Sequence, residues 1–322
     1  NGPIREARFQ FNRDGSRDGG VHALFVISGH RDAPGCFIKQ EDFETQVRNN
    51  NIAFRIPTPT FGTGLIEQIS DTTILNNLSS NSTTKSSLGI SGRVNRNGND
   101  GTITRFGWKA QNKSLIIFSA EAYNVEMGIT NEGFQQERDE TASCQFATVP
   151  NDVNVSVRQV SAISNFANFQ RFLAPPTPSP DTPGGSSSIG RGRQRFSDVG
   201  CQHCHTPSLL TSAISTVAAL SGKTANLYSD LALHQMGPNL ADDILQGGAR
   251  GDEFRTAPLW GLGKRIFFLH DGRTKDLDEA IQAHRSSANS KFGASEANAV
   301  IDRYNRLGES DQQDLMNFLR SL

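Results

Sequence analysis

The residues with the richest chemistry in this chain are five consecutive ones. Cys201, Gln202, His203, Cys204 and His205 spell CxxCH, the spacing at which haem is attached covalently through two thioether bonds. In this arrangement the two sulfurs bind the porphyrin vinyl carbons, and the histidine after the second cysteine binds the iron. The motif therefore predicts a c-type haem with His205 as its proximal ligand.

Cysteines at this spacing also occur in two other kinds of site. A CxxC pair can act as a redox dithiol, and two cysteines with two histidines can bind zinc. A dithiol has no use for a histidine beside its second cysteine. A zinc site needs a further ligand pair at a suitable spacing, which the sequence lacks. We therefore favour haem.

A six-coordinate haem needs a second axial ligand, histidine or methionine, on the face opposite the proximal histidine. The candidates downstream of the motif are His234, Met236, His270 and His284. The apolar spacing of residues 277–281 predicts a helix that carries His284 on its apolar face. Asp276 or Asp278 would begin that helix. A histidine on such a face can instead be an ordinary buried core residue.

The charge of the chain is nearly balanced, with 32 basic and 33 acidic residues among 322. This balance gives no electrostatic reason to expect nucleic acid or an anionic membrane as a partner. No run of about 18 apolar residues is present, so the sequence predicts no transmembrane segment. Because haem is attached to CxxCH outside the cytoplasm, we expect a periplasmic or extracellular protein whose export signal lies upstream of Asn1.

Two further cysteines, Cys36 and Cys144, lie outside the motif in loop-like segments with polar neighbours. In an oxidising compartment such a pair is expected to form a disulfide, which would close a loop of about a hundred residues. The alternative is two free, buried thiols.

Residues 175–188 are rich in proline, glycine and serine, a composition that argues against a helix or a central strand. We interpret residues 175–189 as a linker between two parts of the chain. The part before it, residues 1–174, has mixed patterns, and the part after it, residues 190–322, carries the haem motif.

Two helices are predicted at the ends of the C-terminal part. Phe196 and Val199 share one face of the first helix, which Gly200 ends just before the motif. The second helix begins with a capping box at Ser310, and its apolar residues repeat at helical spacing up to Leu322. Such a pair forms the two ends of a cytochrome c fold. We expect a mainly α fold with short β elements and long loops.

Seven strings spread along almost the whole chain resemble the di-haem c-type oxidoreductases, a family related to bacterial di-haem cytochrome c peroxidases and MauG. They are residues 54–59, 61–67, 89–93, 105–110, 125–130, 254–262 and 268–273. The resemblance implies two cytochrome c-like lobes with one haem each. Since this chain has a single CxxCH motif, we expect its N-terminal lobe to be incomplete, with the first motif in a missing N-terminal segment.

The resemblance also bears on the haem ligands. In the peroxidase relatives a methionine ligand follows the segment that resembles residues 270–272 by fourteen residues, and here that offset reaches His284. It therefore implies His205 and His284 as the axial ligands, with His234 as the second choice. Two histidines give a lower reduction potential than histidine with methionine.

Three other residues are candidates for the haem surroundings. His270 is expected near the haem and not on the iron. Arg255 and Arg273 are candidate partners of the haem propionates, because a guanidinium binds a carboxylate through two parallel hydrogen bonds. The alternative for both arginines is an exposed salt bridge.

A second set of residues resembles the peroxidase segment that runs from a tryptophan between the haems to a distal glutamate. It implies Trp108 as an electron relay, Glu126 as a proton shuttle, and Phe118 in place of a polar glutamine of the peroxidases. An apolar Phe118 suits a hydrophobic or gaseous ligand better than hydrogen peroxide. The alternatives are a core aromatic residue for Trp108 and a surface or helix-cap carboxylate for Glu126.

These inferences together predict an exported di-haem oxidoreductase whose C-terminal haem relays electrons to an N-terminal haem that activates peroxide or dioxygen. A redox protein would exchange electrons with it. The alternatives are a non-catalytic multihaem electron carrier and an oxygenase related to the rubber oxygenases. Calcium is usual between the lobes of the peroxidase relatives, and residues 95–100 offer oxygen ligands without matching a dedicated calcium loop.

Overall fold

The computed structural model describes residues 4–26, 31–137, 141–146, 148–181, 183–215 and 217–322. The helices in these ranges are α1 (Phe43–Arg48), α2 (Thr63–Glu67), α3 (Asp71–Ser79), α4 (Ser82–Ser87), α5 (Leu115–Met127), α6 (Ala162–Phe172), α7 (Gly185–Val199), α8 (Gly237–Leu240), α9 (Leu277–Gln282), α10 (Asn298–Tyr304) and α11 (Glu309–Ser321). The predicted mainly helical class is confirmed, whereas the arrangement in two lobes stays a prediction.

The strands are short and pair antiparallel. They are β1 (Glu6–Phe9), β2 (Val21–His22), β3 (Ile52–Arg55), β4 (Asn95–Arg96), β5 (Ile103–Thr104), β6 (Leu209–Leu210), β7 (Thr224–Ala225), β8 (Leu233–Gln235) and β9 (Glu253–Arg255). β1 lies between β2 and β3, and the other strands form separate pairs. The β8–β9 pair matters most for the site because it sets His234 opposite Phe254.

Helices α7 and α11 pack against each other beside the CxxCH motif. The close approach depends on Gly192, where an added Cβ atom would lie 1.9 Å from the carbonyl oxygen of Asp314. The Asp314 carboxylate accepts hydrogen bonds from Ser188 and Arg191 of α7. The predicted pair of terminal helices is therefore present, and its contacts hold the segment that leads into the motif.

Three details of these helices differ from the sequence predictions or refine them. Helix α7 begins at Gly185, so the last five residues of the predicted linker, 185–189, are helical. Packing of Ser188 against α11 outweighs the weak helix propensity of glycine and serine. Helix α11 begins after Gly308, and no side chain caps it, so the capping box predicted at Ser310 is wrong. Gly200 ends α7 in a left-handed conformation, as predicted.

The described residues form two large clusters of buried apolar side chains and a small third one. One includes Ile66, Ile74 and Leu115, and the other includes Phe196, Tyr304 and Phe318. Cys201 and Cys204 pack against the second cluster, so the motif lies at the edge of an apolar environment.

Cys36 and Cys144 form a disulfide, with their Cα atoms 4.7 Å apart, which confirms the predicted pairing. No helix in the described part of the chain is long and apolar enough to cross a membrane.

Candidate functional site

A cavity of about 220 Å³ lies beside the packed helices α7 and α11. Its walls are mainly apolar and include Phe196 of α7 and Leu315 of α11. The cavity also gathers residues with ligand chemistry that are far apart in sequence: Cys201, Cys204, His205, His234, Met236, His270 and His284. The candidates that the sequence predicted for one haem therefore surround one space.

The Nε2 atom of His205 is free to act as a metal ligand because the other ring nitrogen is engaged. Nδ1 lies 3.0 Å from the backbone oxygen of Tyr228, and since a carbonyl can only accept, Nδ1 must carry the proton. Tyr228 adopts a left-handed conformation with φ of 52°. Burial, with the neighbouring charge of His284, lowers the pKa of His205 to about 4. A neutral imidazole of this tautomer is the form that binds iron.

The ring of His284 is oriented by the same kind of hydrogen bond as the ring of His205. Asp276 caps α9 by accepting a hydrogen bond from the backbone of Glu279. His284 follows two residues after the helix, where its Nδ1 atom lies 2.8 Å from the backbone oxygen of Ala280. Burial lowers the pKa of His284 as well. Leu277, Ala280 and Ile281 line the cavity together with His284, but the helix that was predicted to carry His284 ends at Gln282.

His234, the second choice for the sixth ligand, has both ring nitrogens engaged. Nδ1 lies 2.8 Å from Oε2 of Glu296, and Nε2 lies 2.9 Å from Oδ2 of Asp230. Ionised carboxylates can only accept hydrogen bonds, so both nitrogens carry protons and neither has a lone pair for iron. Met236 also lines the cavity, and its thioether is the remaining competitor of His284.

His270 lies in the cavity wall, as expected for a residue of the haem surroundings. Its ring stacks on Phe254 at a centroid distance of 4.3 Å and meets the edge of Trp108 at 6.3 Å. Burial lowers the pKa of His270 to about 4, although the charge of Asp242 acts in the opposite direction. This side chain is therefore neutral near pH 7.

Arg255 has the features of a partner for a buried anion. It is 7 % exposed, its Nε donates to the backbone oxygen of Gly107 at 2.9 Å, and its Nη1 atom is buried without a partner. Burial lowers its pKa to about 10, with a smaller contribution from Arg265. Arg265 lines the cavity beside it, and the sequence analysis missed this residue because nothing local marks it.

Arg273 does not belong to the cavity lining. Its guanidinium binds Asp271 at 2.7 Å and the backbone oxygen of Asn239 at 2.8 Å. The alternative of a surface ion pair therefore describes Arg273 in this structure. A haem propionate would have to displace both partners to reach it.

Trp108 separates this cavity from a second, smaller one. Its ring lines both cavities, and its Nε1 atom donates to the backbone oxygen of Ile56 at 2.7 Å. The second cavity, about 20 Å³, has room for about one water molecule. Phe118 lines it and stacks on Phe106 at 5.9 Å, while Arg255 and Arg265 reach both cavities.

Glu126 lies outside both cavities, at the exposed C-terminal end of α5. Partial desolvation by the surrounding protein and the neighbouring carboxylate of Glu6 raise its pKa to about 7. The positive charge of Arg8 acts in the opposite direction. A carboxyl group with this pKa can both take up and release a proton near neutral pH. The structure thus places the predicted proton shuttle apart from Trp108 and Phe118.

Within the described residues no cluster of three or more histidine, cysteine or acidic side chains is arranged to hold a free metal ion. In the loop considered for calcium, Asn95 binds the backbone oxygens of Lys109 and Gln246. Asp100 binds Thr102 and forms an ion pair with Lys113. These side chains are engaged within the protein.

The chain belongs to the family described as "Di-haem oxidoreductase, putative peroxidase", whose model matches residues 9–322. No curated protein matches the chain. Among solved structures, a MauG-like protein associated with microbial copper homeostasis is similar at 17 % identity and a TM-score of 0.37, over 83 % of this chain and 91 % of that one. Hydrazine synthase of Kuenenia stuttgartiensis is similar at 17 % identity and a TM-score of 0.34, over 55 % of this chain and 58 % of that one.

The residues around the large cavity fit the prosthetic group that the family name implies. Two thiols and two neutral imidazoles face an apolar space, which suits the flat apolar body of a porphyrin. The unpartnered Nη1 atom of Arg255 is a donor that a propionate can satisfy. The lining thus contains the kinds of residue that covalent attachment, axial ligation and charge neutralisation of a haem need.

Proposed function

We propose that this chain carries the electron-transferring haem of an exported di-haem oxidoreductase. Cys201 and Cys204 would attach the porphyrin covalently, and His205 and His284 would bind its iron. The single observation that carries the proposal is that both thiols and both imidazoles, each imidazole with Nε2 left free, line one apolar cavity. When bound, the haem supplies one-electron exchange at a low potential, as two imidazole ligands favour.

The side chains of the cavity have separate tasks in this proposal. Apolar residues such as Phe196 and Leu315 exclude water from the porphyrin faces. The carbonyl oxygens of Tyr228 and Ala280 hold the two imidazoles in the tautomer that exposes Nε2. Arg255 and Arg265 would bind the haem propionates and neutralise the negative charge of these carboxylates.

Trp108 is proposed as the relay toward the other redox centre of the protein. Its ring lines both cavities and lies edge-on to His270. The hydrogen bond to the backbone oxygen of Ile56 fixes the indole plane, so the ring keeps its position between the two cavities. Electrons would enter through the haem at His205 and leave past this ring toward a haem that activates peroxide or dioxygen.

Two residues bear on the reaction at that other centre. Glu126, whose pKa is raised to about 7 by surrounding protein atoms and by Glu6, is proposed to move protons near it. Phe118 gives the smaller cavity an apolar wall, which suits dioxygen or another apolar ligand. A redox protein is the proposed electron donor or acceptor. Calcium is retained as an additional proposed cofactor, with no set of ligands assigned.

The first experiment counts the haem. The protein is produced in cells that attach haem to CxxCH, and its intact mass and optical spectrum are recorded beside those of a Cys201→Ser, Cys204→Ser double variant. We expect the mass of one haem per CxxCH motif and a low-spin Soret band in the wild type, and neither in the double variant. A colourless wild-type protein of unmodified mass would contradict the proposal.

The second experiment tests catalysis in the full-length protein with electron paramagnetic resonance. A high-spin component that binds cyanide and reacts with peroxide supports the enzyme. Purely low-spin haems would instead indicate the non-catalytic carrier. Formation of oxygenated product from a hydrophobic substrate under oxygen would indicate the oxygenase.

A further inference from the structure

His234 belongs to a buried cluster of three charged side chains that the proposed ligation does not use. Its ring lies between the carboxylates of Asp230 and Glu296, at 2.9 Å and 2.8 Å. All three residues are at most 8 % exposed. Each buried charge carries a desolvation cost, which the contacts within the cluster offset.

The hydrogen bonds define the charge of this cluster. Glu296 accepts from the backbone of Ser91, Gly92 and Gln235 and from the hydroxyl of Ser91, so it is ionised. Asp230 accepts from the backbone of Ala232 through its other oxygen. With both carboxylates ionised and both ring nitrogens protonated, the cluster holds two negative charges and one positive charge.

The cluster touches the site where the porphyrin would be attached. Sγ of Cys204 lies 3.6 Å from Nδ1 of His234, and His234 and Glu296 both line the large cavity. The backbone of Asp230 donates to the backbone oxygen of Cys204 at 2.9 Å. The charges are therefore held next to one thioether edge of the proposed haem, where little water is present to screen them.

The backbone at Gly92 and two cations of other segments also act on the cluster. An added Cβ atom at Gly92 would lie 2.7 Å from Cε1 of His234. The backbone at Gly92 therefore packs directly on the His234 ring, with no room for a side chain. Lys85 and Arg255 are two cations of other segments whose charges interact with that of Asp230. The Lys85 ammonium is itself bound by the backbone oxygens of Asn77 and Leu78.

We infer that His234, Asp230 and Glu296 form a fixed charge cluster that sets the reduction potential of the haem attached at Cys201 and Cys204. The inference rests on the proposed haem site. His234 acts as a positioning residue that holds two carboxylates beside the porphyrin edge without binding iron. Because a reduced haem carries one positive charge fewer than an oxidised one, buried carboxylates nearby favour the oxidised form and lower the potential.

The test is a spectroelectrochemical titration of the haem-loaded protein and of three variants. Glu296→Gln and Asp230→Asn each remove one buried negative charge with little change of shape. Glu309→Gln removes the same charge from the exposed first turn of α11 and is the matched control. At a fixed solution potential we expect the ratio of reduced to oxidised haem to be about tenfold higher in each buried variant, which is a rise of about 59 mV for a one-electron couple.

Further readouts separate this inference from a structural role and from the proposed function. We expect the low-spin spectrum to be kept in every variant and the potential of Glu309→Gln to equal that of the wild type. Gly92→Ala disturbs the ring without changing a charge and should move the potential less than Glu296→Gln. If one buried variant does not fold, the other decides.

An unchanged midpoint in the buried variants, with the low-spin spectrum intact, would overturn the charge cluster alone. So would a shift of Gly92→Ala as large as that of Glu296→Gln. A wild-type protein without haem would contradict the proposed function instead.

Discussion

The rings of His205 and His284 face the same cavity, and each has its Nδ1 atom bound to a backbone oxygen, at 3.0 Å and 2.8 Å. The two histidines are 79 positions apart in the numbering of the sequence, yet the fold gives them the same tautomer. Orientation of a ligating histidine through its second nitrogen is the usual way in which proteins prepare a metal ligand. This matched pair is the reason for our proposal of two-histidine ligation over histidine with Met236.

The first prediction separates these two ligand choices. His284→Ala should convert the low-spin haem into a high-spin form, because it removes the sixth ligand from the iron. Met236→Leu is the control, since Met236 lines the same cavity and leucine keeps its bulk without a sulfur ligand. Optical and magnetic spectra of the two variants provide the measurement. A low-spin spectrum that survives in His284→Ala and is lost in Met236→Leu would reverse the assignment.

The second prediction concerns the arginines near the propionates. Arg255→Gln should lower the midpoint potential by about 60 mV, a tenfold effect on a one-electron couple, because a nearby cation favours the reduced haem. Arg265→Gln should act in the same direction. Arg273→Gln is the control because Arg273 is paired with Asp271 outside the cavity lining. An equal shift in the Arg273 variant would contradict the placement of the propionates beside Arg255.

The third prediction uses two glycines of α7 that differ in their surroundings. Gly190→Ala should stabilise the protein by about 0.5–1 kcal/mol, since alanine favours a helix and nothing lies within 4 Å of its Cβ position. Gly192→Ala should instead destabilise it by about 1–3 kcal/mol through overpacking against Asp314. Denaturant unfolding measures both effects. Equal effects at the two positions would show that α7 and α11 do not pack as described.

The fourth prediction is a pH dependence of stability. Burial alone would raise the pKa of Glu296, but the hydrogen bond and the charge of His234, with Ser91, lower it from 4.5 to about 2. Between these values the unfolded chain binds more protons than the folded one, so stability rises with pH there. The contribution is complete above pH 4.5 and is lost as the pH falls toward 2.

Thermal unfolding of the wild type and of Glu296→Gln over this range provides the measurement. The difference in Tm between them should be largest above pH 4.5 and should shrink toward pH 2. A difference that stays constant with pH would indicate that the ionised form of Glu296 has no advantage in the folded state.

The features that the sequence predicted are mostly local ones. The helix stop at Gly200 was predicted from neighbouring residues alone, and α7 does end there, directly before the motif. The helix before His284 also follows from local spacing and from the cap at Asp276. The Cys36–Cys144 disulfide was predicted because an oxidising compartment was expected and these two cysteines lie outside the motif.

The features that escaped prediction depend on contacts between distant segments. Glu296 occupies one ring nitrogen of His234 and lies 62 residues away from it in sequence. The periodicity of a segment gives no information about contacts with so distant a residue. Arg255 and Arg273 were both candidates for the haem propionates, yet only Arg255 lines the cavity, and Arg273 forms an ion pair with Asp271 instead. The helical start of α7 depends on the tertiary contact of Ser188 with Asp314, which composition could not reveal.

The large cavity takes part of its wall from upstream of the proline-rich segment, through Ile90 and Trp108. Ion pairs of Arg55 with Asp242 and of Arg93 with Glu253 join the same two stretches of chain. A protease that nicks the backbone within residues 176–181 should therefore yield two fragments that co-elute and separate only in denaturant.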